Sequence, residues 1–164
     1  MGTDVRVKRH GQPGDNPPVP GGPRIRVGVC VTDCDRMLLV EHEKGGRRYW
    51  LVPGGGVEMG ETLHASAARE VLEETGFAVS IGRLQVVCEA IEPGGRHIVN
   101  LVYAGAVTGG TLAVGVDKSL RDAVWQPRTV IAGLTMYPPI GDALLACWDD
   151  GFAGPVRELG NIWR

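Results

Sequence analysis

Residues 55–77, GGVEMGETLHASAAREVLEETGF, run from a glycine turn straight into a helix that carries three glutamates on one side. Residues 62–75 are mostly good helix formers and contain no proline. Gly60 supplies a turn before them, Thr62 can act as the N-cap, and Gly76 stands where a left-handed C-terminal cap falls. Leu63, Ala67, Val71 and Glu74 form one stripe, and Ala65, Ala68 and Leu72 a second, so small and branched apolar residues can face a sheet. Glu70, Glu73 and Glu74 stand at i, i+3 and i+4, which brings their carboxylates to one side of the helix. Like charges at that spacing repel by roughly a few tenths of a kcal/mol per pair in water, and by more when partly buried. A compensating charge is therefore expected. Hard divalent cations such as Mg²⁺ take carboxylate and carbonyl oxygens and share their remaining positions with water and substrate phosphates. The ordinary reading of an acidic helix face is simple solvation, and the surrounding residues decide against it here.

Those surroundings resemble the Nudix hydrolase family, whose box reads G, five residues, E, seven residues, R-E-U-x-E-E-x-G-U, with U a bulky apolar residue. Gly55, Glu61, Arg69, Glu70, Glu73, Glu74 and Gly76 occupy every fixed position, and Val71 and Phe77 the apolar ones. Phe77 is aromatic where an aliphatic residue is usual, a departure that touches packing more than chemistry. At average residue usage, the fixed identities arise by chance in about 10⁻⁸ of windows. A looser likeness extends over residues 25–148.

The resemblance implies that Glu70, Glu73 and Glu74 ligate Mg²⁺ or Mn²⁺, with the Gly55 carbonyl adding an oxygen. It implies that Arg69 is the partner that orients the glutamates, through Glu70 or through Glu61 outside the ligand set. An Arg fork meets a carboxylate in two places, so Lys is a poor replacement. The implied reaction is metal-assisted hydrolysis of a phosphoanhydride in a nucleoside diphosphate linked to another group. The proton acceptor stays open: Glu73 is one candidate, and Glu89, Glu92, Asp117 and Asp122 lie outside the box.

Composition fits one catalytic domain. The chain has 164 residues and a net charge of −2, which gives no electrostatic reason to expect nucleic acid or an anionic membrane as partner. No apolar run approaches the ~20 residues of a membrane span and no signal-peptide core is visible, so a cytoplasmic place is expected. The cysteines, Cys30, Cys34, Cys88 and Cys147, lack zinc-binding spacing and read as reduced thiols, with Cys30 and Cys147 in apolar contexts. The histidines, His10, His42, His64 and His97, have no partner at metal-ligand spacing and read as structural or surface residues.

Polar residues, glycine and proline dominate residues 1–23, which read as a disordered or extended arm, leaving residues 24–164 as the domain. IRVGVCVT and MLLVEHE read as an antiparallel pair, followed by an EKGGRR loop. After the box helix come the strands RLQVVCEAIE and HIVNLVYAGAV joined by PGGR, a TGGT turn, a short AVWQ strand, and a closing helix IGDALLACWDD entered through Pro138 and Pro139. The pattern predicts an α/β/α sandwich around a mixed sheet.

For the substrate, Lys44, Arg47 and Arg48 form a basic loop ahead of the box and Arg96 sits on the PGGR hairpin, so Arg47, Arg48 and Arg96 are candidate phosphate contacts. Tyr49, Trp50, Tyr103, Trp125 and Tyr137 are candidate platforms for a base, at most one or two of them used. Within the family, a proline about sixteen residues beyond the box is associated with ADP-ribose hydrolases, and Pro93 stands there, although it also suits a turn. ADP-ribose or a related nucleotide sugar is the leading expectation, with a nucleoside triphosphate second. A non-catalytic nucleotide-binding regulator would be expected to lose a glutamate, and all three are present. Homodimers are common among the nucleotide-sugar members.

Overall fold

The computed structural model describes residues 22–163, so the stretch read as an arm lies outside the described residues except for its last two positions. Eight strands build one mixed sheet: β1 (Arg24–Asp33), β2 (Arg36–Lys44), β3 (Arg47–Leu51), β4 (Gly54–Gly56), β5 (Phe77–Ile91), β6 (His97–Gly110), β7 (Leu120–Pro127) and β8 (Arg157–Asn161). The main path runs β3-β2-β1-β6-β5-β8, with β4 paired to β1 and β7 to β2. β1 meets β2 only near their hairpin, at Thr32↔Met37 and Asp33↔Arg36, whereas Arg26, Val27 and Gly28 pair with β4. One helix, α1 (Leu63–Thr75), follows β4, and another, α2 (Gly141–Asp149), follows β7 and a 3-10 helix (Arg128–Gly133).

Strand alternation sorts the side chains of β1 to two faces. Val27, Val29 and Val31 are fully buried with Ala67 and Val71 of α1, while Cys30 joins Val86, Val102, Leu144 and Cys147 on the α2 face. Each helix thus closes its own hydrophobic layer, which is the expected three-layer α/β/α arrangement. Leu144 is fully buried on α2, and Leu144→Ala should cost about 2–5 kcal/mol through lost transfer energy and a residual cavity, read as a lower urea midpoint.

Both ends of α1 form as the sequence signals them. Thr62 Oγ1 accepts the Ala65 N–H at 3.1 Å, and Gly76 sits at φ 73° with its N–H returned to the Leu72 carbonyl. One of the two apolar stripes is corrected: Leu72 is 52% exposed, because the sheet takes the side of Ala67, Val71 and Glu74. Gly76 then passes directly into β5, which starts earlier than its apolar run suggests, with register shifts that absorb the less apolar first half.

The EKGGRR loop is also corrected. Gly45 and Gly46, at φ 59° and 74°, make a two-residue turn, and Arg47 and Arg48 already belong to β3, paired with Lys44 and Glu43. Besides β4, a strand where a glycine turn was expected, two elements were not read from the sequence. The 3-10 helix is short, and β8 is a polar edge strand lying parallel to β5, tied down by Arg157 through Asp150 at 2.7 Å and the Ala146 carbonyl at 3.1 Å. Cys30, Cys88 and Cys147 are buried and unbridged, with burial pushing the Cys88 thiol up to about 11, while Cys34 is exposed in the β1–β2 turn.

Candidate metal and phosphate site

Arg69 is the hub of the acidic side of α1. Its Nε and Nη2 donate to the two oxygens of Glu61 at 2.8 and 3.0 Å, and its Nη1 donates to Glu70 at 2.9 Å and Glu73 at 3.3 Å. These bonds hold the Glu61 carboxyl down to about 2. Burial pushes the Glu70 carboxyl above the usual range; Arg69 pulls it back, while Glu74 and Glu73 repel it further.

Glu74 points inward and is nearly buried. Its Oε2 accepts the Gly54 N–H at 2.8 Å, and its Oε1 lies 3.2 Å from His42 Nε2. His42 Nδ1 lies 3.0 Å from Ser119 Oγ, which in turn donates to Asp117. A chain of polar contacts therefore crosses from α1 through β2 to the segment before β7. That segment also lies on the end of α1, with the Ala113 and Gly115 N–H groups donating to the Thr75 and Glu74 carbonyls. Beneath these groups Arg26 is half-buried on β1 and donates from Nη2 to the Gly54 carbonyl at 2.8 Å, a positive charge behind Glu70 and Glu74.

These elements enclose a cleft of about 560 Å³ bordered by Gly54–Gly56, the glutamates of α1, His42 and Asp117. Gly55 leaves room for Glu70: a Cβ there would stand 2.3 Å from its carboxylate. Among the described residues, no three His, Cys, Asp or Glu side chains stand at metal-holding spacing, since Glu70 is drawn to Arg69 and Glu74 to Gly54 and His42. The donor set still fits a hard divalent cation. It offers carboxylate oxygens from one helix face, a backbone bare of side chains opposite, and more negative charge than Arg69 neutralises.

Residues 22–145 match the family profile described as the NUDIX domain. The chain belongs to this family. A human protein named 8-oxo-dGDP phosphatase NUDT18 is 32% identical over 127 residues, covering 71% of this chain and 38% of that protein. An ADP-ribose pyrophosphatase of Methanocaldococcus jannaschii is 30% identical over 97 residues, covering 58% of this chain and 57% of that protein. The chain thus spans less than two thirds of either relative. A NUDIX hydrolase structure from Nitrosomonas europaea superposes with a TM-score of 0.70 at 25% identity, over 84% of this chain and 94% of that one.

Within this NUDIX chain, the box residues Gly55, Glu61, Arg69, Glu70, Glu73 and Glu74 lie together. Of the proton-acceptor candidates, Glu73 and Asp117 border the cleft. Glu89 lies 3.3 Å from His97, Glu92 accepts from Arg96 at 3.4 Å in the hairpin, and Asp122 is bonded to its neighbour's N–H on β7. The basic candidates do not reach the cleft as placed: Arg48 is bonded to Glu43 at 3.1 Å, Arg96 to Glu92, and Arg47 is exposed at the start of β3. Pro93 lies in the β5–β6 turn closed by the Gly95 N–H on the Glu92 carbonyl, which accounts for a proline without a substrate. Tyr103 is buried against α1 and Trp125 packs on Phe77 at 5.9 Å, so neither is free to stack.

His42, read as structural, is instead a cleft residue. Its only sequence signal was a polar side chain closing an apolar strand. Arg26 and Asn100 were passed over, although a lone charged or amide residue inside RIRVGVCV and HIVNLVY was a visible anomaly. Arg69→Lys should lower activity about 10- to 100-fold, because an ammonium cannot grip both Glu61 oxygens while reaching Glu70 and Glu73. The check is kcat/KM titrated against Mg²⁺, with a raised metal requirement expected.

Proposed function

We propose that this chain is a divalent-metal-dependent hydrolase of the phosphoanhydride bond in a nucleoside diphosphate linked to another group, ADP-ribose or a related nucleotide sugar being its first substrate. The observation that carries the reading is the cleft in which Glu70, Glu73 and Glu74 face the bare backbone of Gly54–Gly56. Mg²⁺ or Mn²⁺ would be held by these glutamates and the Gly55 carbonyl. When bound, such a cation neutralises phosphate charge and lowers the pKa of water that attacks phosphorus. The chain's own residues do the rest. Arg69 fixes the direction of Glu70 and Glu73, and Arg26 braces the Gly54 carbonyl. Glu73 or Asp117, both on the cleft wall, accepts the proton that the attacking water gives up.

Likeness to the archaeal relative named ADP-ribose pyrophosphatase supports the nucleotide-sugar substrate. A second reading, hydrolysis of a nucleoside di- or triphosphate, is favoured by the relative named 8-oxo-dGDP phosphatase. Residues 24–164 would be the catalytic unit, working in the cytoplasm, where three buried thiols stay reduced.

The test is incubation with Mg²⁺ or Mn²⁺ and a panel of ADP-ribose, other nucleotide sugars, and ordinary and oxidised nucleoside di- and triphosphates, with products separated by chromatography. AMP plus ribose 5-phosphate is the expected result. Nucleoside monophosphate with phosphate or pyrophosphate would move the assignment to the second reading. No turnover of any compound would overturn both.

A further inference from the structure

The segment between β6 and β7 ends at Ser119, where several bonds cross. The Ser119 N–H donates to Asp117 Oδ1 at 2.7 Å, and its Oγ donates to the same oxygen at 2.5 Å. The Oγ also lies 3.0 Å from His42 Nδ1, and the Ser119 carbonyl accepts the Glu43 N–H at 2.8 Å. The first of these bonds is the local turn that an aspartate makes with the second residue beyond it. The contacts with β2 are not local, since His42 stands 77 residues away in sequence. Asp117 is thus hung on β2 through Ser119. Among the described residues its Oδ2 makes no hydrogen bond, and its side of the segment borders the glutamate cleft.

We propose that Ser119 is a positioning residue for the hydrolysis: by gripping Asp117 Oδ1 from two sides and anchoring it to β2, it presents Asp117 Oδ2 to the cleft as the proton acceptor. This rests on the proposed reaction and decides between its two candidate acceptors.

A general base must be ionised, aimed and bare on the oxygen that takes the proton. Asp117 meets each condition. The Ser119 bonds hold its carboxyl below the usual carboxylate range, fix its direction and leave one oxygen unbonded. Glu73 is the poorer acceptor, because it is held to Arg69 at 3.3 Å and its charge stands with Glu70 and Glu74 on the side where the cation is proposed. In the step itself the water oxygen bonds to phosphorus, the anhydride P–O bond breaks toward the departing phosphate, and the water's proton passes to Asp117 Oδ2. A hydroxyl suits position 119, since it gives its one proton to Asp117 while its lone pairs face His42. Alanine keeps only the backbone bonds, whereas threonine keeps the hydroxyl as well.

The experiment measures kcat and KM with Mg²⁺, on the compound of the panel that the unaltered chain hydrolyses, for that chain, Ser119→Ala, Ser119→Thr, Asp117→Asn and the double variant of Ser119→Ala with Asp117→Asn. Mn²⁺ affinity by electron paramagnetic resonance and urea midpoints accompany each. Ser119→Ala is expected to lower kcat about 10- to 100-fold through a misplaced Asp117, with KM moving by less than about threefold. Ser119→Thr should restore most of the loss. Asp117→Asn should lower kcat about 10²- to 10⁴-fold, and the double variant no further, because Ser119 acts through Asp117. Mn²⁺ affinity should hold throughout, since the glutamates of α1 are untouched. A serine kept only for its turn would instead lower the urea midpoint and leave kcat alone. Full kcat in Ser119→Ala or in Asp117→Asn, losses that multiply in the double variant, or Mn²⁺ affinity lost in Ser119→Ala would overturn the proposal and leave the hydrolysis standing. No turnover of any compound by the unaltered chain would overturn both.

Discussion

Glu73→Gln is expected to reduce kcat by on the order of 10³-fold while leaving the fold intact, because under the proposed reaction it removes a metal-ligating charge worth about several kcal/mol in the transition state. Glu73 is suited to this test. Its side chain is 58% exposed and its one side-chain hydrogen bond among the described residues is the 3.3 Å bond from Arg69, so stability should move by no more than about 0.5 kcal/mol. Glu74→Gln should silence turnover as well, with a larger cost in stability, since Glu74 is nearly buried and ties down Gly54 and His42. Steady-state kinetics beside a urea melt separates the two effects. Full activity in both variants would remove the assigned metal site.

Gly54→Ala should be strongly destabilising for the addition of a single methyl group. Gly54 lies at φ 152°, and a Cβ there would stand 2.1 Å from the Val27 carbonyl oxygen and 2.6 Å from the Gly28 Cα. Both obstacles are backbone of the central strand, so no side chain can swing away. Strained backbone costs about 1–3 kcal/mol and overpacking about 1–3 more, enough to unfold a marginally stable domain or shift its urea midpoint by a large fraction. Gly45→Ala makes the contrast. It meets nothing within 4 Å and carries only the penalty of its φ of 59°. A Gly54→Ala protein as stable as Gly45→Ala would mean that the β1–β4 pairing is looser than described.

Much of this arrangement was legible in the residues because local and global signals agreed. Thr62 and Gly76 cap the helix where they should, the apolar runs around Val29, Leu39, Val86 and Val102 are central strands, and Arg69, Glu70, Glu73 and Glu74 lie together because their spacing is helical. What was missed depended on distant partners. Arg157 and Asp150 hold a polar edge strand that no hydrophobic pattern announces. Arg47 and Arg48 looked like a free basic loop, because nothing local says that Gly45-Gly46 closes a hairpin and that Glu43 lies across from Arg48. Leu72 looked like core because periodicity shows that a stripe exists and not which stripe the sheet covers. His42 reaches the glutamates only through the β2–β3 and β2–β7 pairings, which sequence distance hides.

β4 is three glycines long, and this has a consequence for how such a protein can change over generations. The strand is a partition one peptide thick, with the glutamate cleft along it and a smaller pocket, lined by Tyr49, Asn100 and Tyr137, reaching Gly54. A change at Gly54 is felt on both sides at once, so it cannot be selected for one side alone. Asn100 and Glu73 border one compartment each. Variation is therefore channelled into the walls to either side, where a residue such as Tyr49 or Asp117 borders one compartment alone, while the glycine partition between them stays fixed.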